Sequence, residues 1–521
     1  MPRFAQRGAV RAGLSRRRRV FGWLALLLLG MVLLFTAGVL WPLEAPPPPP
    51  GVESFAIRDV TVVDTEGEQD LPNATVLVRD GRIEAVGPAA EVHLPEGVRL
   101  VEGQGRFLIP GLWDMHAHVI RGAEQLQLPL YVAHGVTGLR DMLSWPDDSE
   151  VQALTVADKR ALHARVDRGA LVGPRIVSVA SYYAEGPSSR NEDFPPFFNV
   201  STPDEARAFV THEKARGVDF IKMYNRVPRE AYFGLLKEAR RQELPVAGHV
   251  PYAVSLREAV EAGQRSIEHG RDLLFECFPE ADRFRAAMLA REPRVHWLQR
   301  MVDQHEPARC DALFETLRAN DTYLCPTHVI RREDALADDT AYRQDPHLHS
   351  LHWLYRIFWR FDLDDTVAED PSPAGRHAYR EFYRKGLELT GRAHRAGVKV
   401  LTGTDHPFYG ASLHQELEEL VLAGLSPREA LRAATLHPAL FLGRAGEYGS
   451  IRPGKRADLV LVDGNPLESI QSVRRISLVS VGGRLYERES LDPLLAFTQE
   501  QAGSWSLGCK ILWRVLLSLW P

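Results

Sequence analysis

Six side chains in this sequence carry most of the chemistry it offers. His116 and His118 stand two apart, His116-Ala-His118, at the end of a β-rich run. Alternate residues of a strand point to one side, so both imidazoles can meet one metal ion. Lys222, His249, His269 and Asp405 each sit at the C-terminal end of a further β-rich run. Imidazole nitrogen with carboxylate oxygen is a ligand set suited to zinc. Taken singly, each residue has an ordinary alternative: a core histidine, a salt-bridged lysine, an aspartate capping a helix before Pro407. Their recurrence at the same end of successive runs is what favours a shared metal site.

The elements that must position these groups are legible as alternation. Eight β-rich runs, at 108–115, 136–139, 175–179, 218–223, 245–250, 265–269, 323–327 and 398–405, are separated by helical patterns. Thr202-Pro203-Asp204-Glu205 and Ser426-Pro427-Arg428-Glu429 each place a cap, a first-turn proline and a capping-box glutamate in order. This pattern predicts an α/β fold, a (β/α)8 TIM-like barrel over 109–448, whose strand ends face one mouth. The strand-poor stretches 275–320 and 330–395 are expected to add helices near that mouth. Short alternating strands on both flanks, 52–108 and 449–488, predict one small composite β-sandwich domain.

Residues that follow these runs are candidates to line a substrate pocket: Arg140, Tyr182, Tyr183 and Tyr224, with His328 and His406 near the mouth. Arg140 would pair with a substrate carboxylate, or else with Asp141 or a helix end. Glu268 alternates to the face opposite His269 and reads as structural.

The two ends differ from the body. Residues 1–19 hold seven arginines and no acid, and residues 20–41 form a 22-residue run without a charge. Such a helix is ~33 Å long, enough to cross a bilayer core, and the positive-inside rule puts everything after it on the extracytoplasmic, periplasmic side. Five prolines, Pro46 to Pro50, then predict a stiff linker over 42–51. A retained transmembrane anchor is favoured over a cleaved signal, because no A-x-A sequence follows the run; Arg18-Arg19-Val20-Phe21 also looks like a twin-arginine export signal. The tail, 489–521, carries Trp505, Trp513 and Trp520, and reads either as a membrane-interfacial helix or as one docked on the body.

Composition excludes several classes. The chain has 521 residues, 45% hydrophobic and 25% charged, as in an ordinary globular protein. Its 63 basic and 68 acidic residues leave a net charge of -5, which argues against a nucleic-acid partner. Cys277, Cys310, Cys325 and Cys509 form no CxxC pair and no regular framework, so neither a disulfide scaffold nor a cysteine-rich zinc site is expected. Oligomeric state is not legible.

The motifs Leu108-Ile-Pro-Gly-Leu-Trp-Asp-Met-His-Ala-His118, Gly217-Val-Asp-Phe-Ile-Lys222, Val246-Ala-Gly-His-Val250, Ser266-Ile-Glu-His269, Leu401-Thr-Gly-Thr-Asp405 and Gly449-Ser-Ile-Arg-Pro-Gly-Lys-Arg-Ala-Asp-Leu459 together resemble the amidohydrolase superfamily. The likeness is closest to the branch of imidazolonepropionase-like enzymes and metal-dependent prolidases. It implies two divalent ions, most often Zn2+. His116, His118 and Asp405 would bind the more buried ion, His249 and His269 the second, and a carboxylated Lys222 would bridge them. It also implies hydrolysis of a C–N bond in a small molecule, such as a dipeptide, N-acyl amino acid or cyclic amide, with Asp405 as general base and then acid. Lys222-Met-Tyr-Asn lacks the Gly/Ser-rich stretch expected after the bridging lysine of some dipeptidases, which puts a proline dipeptide in doubt. Two alternatives stay open: a mononuclear deaminase of the same superfamily, and a catalytically silent membrane-tethered binding protein on the same barrel.

Overall fold

A computed structural model describes residues 5–187 and 196–518, with only the helical backbone given for 5–20. Seven strands run parallel in one sheet, in sequence order: β5 (Leu112–Ala117), β6 (Val136–Asp141), β7 (Arg175–Ala184), β8 (Phe220–Met223), β9 (Val246–Gly248), β10 (Ser266–Glu268) and β11 (Tyr323–Cys325). Nearly every residue in them is buried, as in parallel strands covered by helices on the outside. The eighth expected run, 398–405, closes the ring by backbone bonds to both neighbours rather than as a regular strand. Leu401 N–H donates to Leu324 and Met115 N–H to Thr402, at 2.8 and 2.9 Å. Gly403 permits that closure: a Cβ there would lie 2.5 Å from Cys325 Sγ and 2.6 Å from His116 Cβ. The protein therefore has a TIM-like barrel whose strand ends gather at one mouth.

A second sheet is built from β1 (Phe55–Val62), β2 (Leu71–Arg79), β3 (Arg82–Pro88), β4 (Arg99–Pro110), β12 (Leu459–Val462), β13 (Ile476–Val481) and β14 (Arg484–Glu487). Their spatial order is β14-β13-β12-β4-β1-β2-β3. The expected sandwich of two sheets is thus one continuous sheet. It curls so that the end strand β3 meets the segment leading into β12, with Ile83 N–H donating to Lys455 and Ala457 N–H to Gly81. The curl encloses its own apolar cluster, which includes Phe55, Val76, Leu108 and Leu461. The expected first barrel strand, 108–115, is divided between the two sheets: β4 ends at Pro110 and β5 begins at Leu112.

Helices carry their sequence-encoded starts. Both capping boxes form, Thr202 with Glu205 and Ser426 with Glu429. The stretches 275–320 and 330–395, expected to be helical, supply helices such as Pro307–Ala319, Trp353–Glu369 and Pro373–Arg395, and the helices Arg271–Cys277 and His328–Leu336 begin just before them. One expectation fails here. Cys277 and Cys310 are joined in a disulfide across two of these helices, 33 residues apart, a spacing that no cysteine motif announces.

The N-terminal helix runs Ala5–Leu40, and its apolar part, Phe21–Leu40, is 20 residues long with only 6% buried. The proline linker is tied down at its start, where Gln125 donates to Glu44 O at 3.3 Å and Gln501 to Glu44 Oε2 at 3.1 Å. The C-terminal helix, Trp505–Ser518, docks beside the N-terminal one: Lys510 donates to Val39 O, and Phe35 and Trp513 lie 6.4 Å apart. Leu512, Leu516 and Leu517 of this helix remain exposed, and Trp513 stays partly exposed beside Phe35. Residues 1–4 of the basic segment and Trp520 lie outside the described residues.

Candidate active site

All six of the expected side chains meet at the barrel mouth. His118 Nε2 lies 3.0 Å from Asp405 Oδ1, His116 Nε2 lies 3.8 Å from the same oxygen, and His269 Nε2 is 3.9 Å from Asp405 Oδ2. His249 and His269 approach Nε2 to Nε2 at 2.9 Å. Lys222 Nζ stands 3.5 Å from His116 Nε2. His116, Lys222, His249 and His269 are buried, while the carboxylate of Asp405 is 26% exposed.

The local backbone explains this convergence. His269 and Asp405 sit just past the strand ends with φ of 68° and 51°. A non-glycine residue in that region is strained and persists only where its surroundings hold it. It also breaks strand alternation, so Glu268 and His269 both face inward. The expectation that Glu268 points away is therefore corrected: Glu268 Oε2 accepts from His116 Nδ1 at 2.9 Å. Asp405 caps no helix, since the next one begins at Ala411, and its backbone N–H donates to His116 O at 2.8 Å.

Hydrogen bonds on the far ring nitrogens fix the tautomers. The His116 Nδ1–H is given to Glu268, and the His249 Nδ1–H to Asn225 Oδ1 at 2.6 Å. Both Nε2 atoms therefore present lone pairs to the mouth, the arrangement a metal-ligating histidine needs. His269 Nδ1 is likewise engaged, 2.8 Å from Thr327 Oγ1. Asn225 is itself held through its backbone, which donates to Glu185 Oε2 at 3.3 Å. Glu268, Asn225 and Thr327 were not singled out from sequence as supports, because they are distant in the chain or carry no metal motif.

Electrostatics agree with neutral imidazoles facing an ionised acid. Burial, with the adjacent Lys222, lowers His116 to about 4 and holds His249 well below the ordinary range. Burial likewise holds His269 well below it, aided by His249. Burial would raise Asp405, but His116, His118 and Lys222 override it and keep the carboxylate well below its usual range. Burial also lowers the Lys222 amine. The Nε2 atoms of His116 and His269 and a carboxylate oxygen of Asp405 can be grouped within 4.8 Å of one another, a spacing a single cation can bridge. The donor set thus fits a divalent metal.

Two cavities share His116, His118 and Asp405 as a common wall. One, of about 380 Å³, is lined also by Lys222, His249, His269, Tyr183, Tyr224, Arg271 and Arg331. The other, of about 370 Å³, has Tyr355, Phe358, Trp359, Glu333, Asp362 and His406. Tyr224 stacks on His249 with ring centroids 4.5 Å apart.

Three of the expected pocket residues are elsewhere. Arg140 is fully buried below the mouth, where it donates to both oxygens of Glu268 at 2.8 and 2.9 Å and to Ser266 Oγ at 3.0 Å. A guanidinium buried below the mouth and committed to Glu268 in that way does not reach a substrate. Tyr182 is buried against Trp145, 4.9 Å between centroids, because successive strand residues alternate and Tyr183 takes the inner side. His328 is buried at the start of its helix with Nε2 3.0 Å from Thr390 Oγ1 and borders neither cavity. Arg271 and Arg331 were missed; nothing local distinguishes them from the chain's other arginines.

A barrel with this polar mouth and a second curled sheet defines a class, and comparison with known proteins places the chain in it: it belongs to the amidohydrolase family, whose profile matches residues 107–486. Among curated relatives, it is 32% identical over 480 residues to an ochratoxinase of Aspergillus niger, covering 82% of this chain and 85% of that one. It is 26% identical over 410 residues to an imidazolonepropionase of Symbiobacterium thermophilum, covering 75% of this chain and 84% of that one. The fold matches a putative prolidase from Bifidobacterium longum, with TM-score 0.60 and 24% identity over 87% of this chain and 100% of that one. A bottromycin amidohydrolase matches with TM-score 0.62 and 24% identity, over 86% and 91%.

Proposed function

We propose that this protein is a metal-dependent hydrolase of an amide-like C–N bond in a small molecule. The observation that carries the reading is the convergence of three imidazole nitrogens, the Asp405 carboxylate, a fourth imidazole and a buried amine on one wall between two cavities. His116, His118 and Asp405 would hold one divalent ion and His249 and His269 a second, with Zn2+ favoured by the nitrogen-rich set. Such ions lower the pKa of water from about 15.7 toward ~7 and polarise a carbonyl.

Asp405 borders both cavities and stays ionised, so it is the group placed to take a proton from the attacking water and return it to the leaving nitrogen. Glu268 and Asn225 keep His116 and His249 in the tautomer that leaves Nε2 free. Lys222 is the proposed bridge. Its amine is buried with no carboxylate in salt-bridge range among the described residues. A neutral amine adds to the carbon of CO2 and loses one N–H proton, leaving a carbamate with two oxygen ligands. The substrate classes that fit are dipeptides, N-acyl amino acids and cyclic amides, in line with the names of the relatives.

The N-terminal helix is proposed as a membrane anchor that leaves the barrel on the extracytoplasmic side. The Cys277–Cys310 bond supports this, because disulfides persist in oxidising compartments. The experiment is a screen of the full chain in detergent, with Zn2+, against dipeptides, N-acyl amino acids and cyclic amides. Hydrolysis that chelation abolishes and Zn2+ restores is the expected result. Release of ammonia from an amino-heterocycle with one ion per chain would instead support the deaminase reading, which the close grouping of His116, His269 and Asp405 favours.

A further inference from the structure

We infer that Arg271 and Arg331 form a subsite for a free carboxylate on the amine-derived half of the substrate, so that the enzyme acts on N-acyl amino acids or dipeptides rather than on uncharged amides. The inference rests on the hydrolase reading above and names its substrate class.

Arg271 follows His269 by two residues and begins the helix Arg271–Cys277, while Arg331 projects from the helix His328–Leu336. Both reach the cavity that holds Lys222, His249 and His269. Each side chain is only 12% exposed. Arg271 has a single weak ion pair, Nε to Asp272 at 3.5 Å, and its terminal nitrogens make no hydrogen bond among the described residues. Arg331 gives one nitrogen to Asp334 at 2.6 Å, but its Nε is buried without a partner, and Asp334 is shared with Arg294 at 3.6 Å. The cavity wall thus carries Arg271 and Arg331 against a single acid among the described residues, Asp405. Buried cations so poorly matched are costly unless an anion joins them, and guanidinium is the group that binds a carboxylate in two-point fashion.

The second cavity gives the site direction. It shares His116, His118 and Asp405 but has Tyr355, Phe358 and Trp359 with the acids Glu333 and Asp362, and no arginine among the described residues. A carboxylate is attracted to one side of the reacting group and repelled from the other. The acid-bearing half therefore lies toward Arg271 and Arg331, and the acyl half, preferably large and apolar, lies toward Trp359.

The test uses the Zn2+-loaded full chain in detergent and pairs each free-acid member of an N-acyl amino acid and dipeptide panel with its carboxamide. The acids should exceed the carboxamides by about 10- to 100-fold in kcat/KM, the range of a charged hydrogen bond. In Arg331→Gln and Arg271→Gln that ratio should collapse through KM, and Arg331→Lys should recover part of it; melting curves verify folding. Carboxamides turned over as well as acids, or a ratio unchanged in both Gln variants, would overturn the subsite. Should no member be hydrolysed, calorimetry with N-acetyl-L-phenylalanine and its carboxamide separates the two claims. Acid-selective binding lost in Arg331→Gln keeps the subsite while the hydrolase reading fails; equal binding of both probes overturns the subsite as well.

Discussion

Two polar clusters share the inside of this barrel, and they are built on opposite terms. Below the mouth, Arg140, Glu268 and Ser266 are fully buried and closed on one another, and Asp114 accepts from Thr404 Oγ1 at 2.7 Å and from the backbone of His116 at 3.0 Å. A few ångströms higher, His249 Nε2 lies 2.9 Å from His269 Nε2 and Lys222 Nζ lies 3.5 Å from His116 Nε2. The lower cluster has its partners and behaves as structure. The upper one turns ring nitrogens and a carboxylate toward one point that a divalent cation could bridge, and that arrangement marks function. Glu268 belongs to both, since one carboxylate neutralises Arg140 and orients His116.

Asp405→Asn should break the upper cluster most severely: kcat is expected to fall about 10²- to 10⁴-fold while bound metal is retained. Full turnover by that variant would remove its proton-transfer role. Arg140→Met attacks the lower cluster and leaves Glu268 buried without its counter-charge. Thermal or urea unfolding should register a loss of about 3–5 kcal/mol, and an unchanged midpoint would contradict the structural reading. Glu268→Gln sits between the two, and metal titration should show a 10- to 100-fold weaker affinity. A smaller effect is expected from pH. Unfolded histidine titrates near 6.5, whereas His116 in the fold is lowered to about 4. The unfolded chain binds the proton first, so the metal-stripped protein should lose stability as pH falls from about 6.5 toward 4. Melting points that stay flat across that window would oppose this.

Much of the upper cluster was legible because its residues end successive β-rich runs, and barrel topology carries strand ends to one place. The lower cluster was not legible, and Arg140 shows why. An arginine after a strand looks the same in sequence whether it turns to the mouth or to a buried glutamate 128 residues away. Tyr182 and Tyr183 differ only by strand parity, which a one-residue boundary shift reverses. Glu268 was misread because alternation presumes extended backbone, and His269 is left-handed. The Cys277–Cys310 pair joins helices whose packing no local spacing encodes. The closing segment 398–405 was found by its apolar run although its pairing is irregular, because burial, not hydrogen-bond regularity, shapes the composition.

Metal analysis of the purified full chain, beside Lys222→Ala, tests the central claim most directly. Two divalent ions per chain in the natural protein, falling to one or fewer in the variant, is the expected result. A natural protein that binds no ion after loading, or a variant that keeps both, would contradict the account.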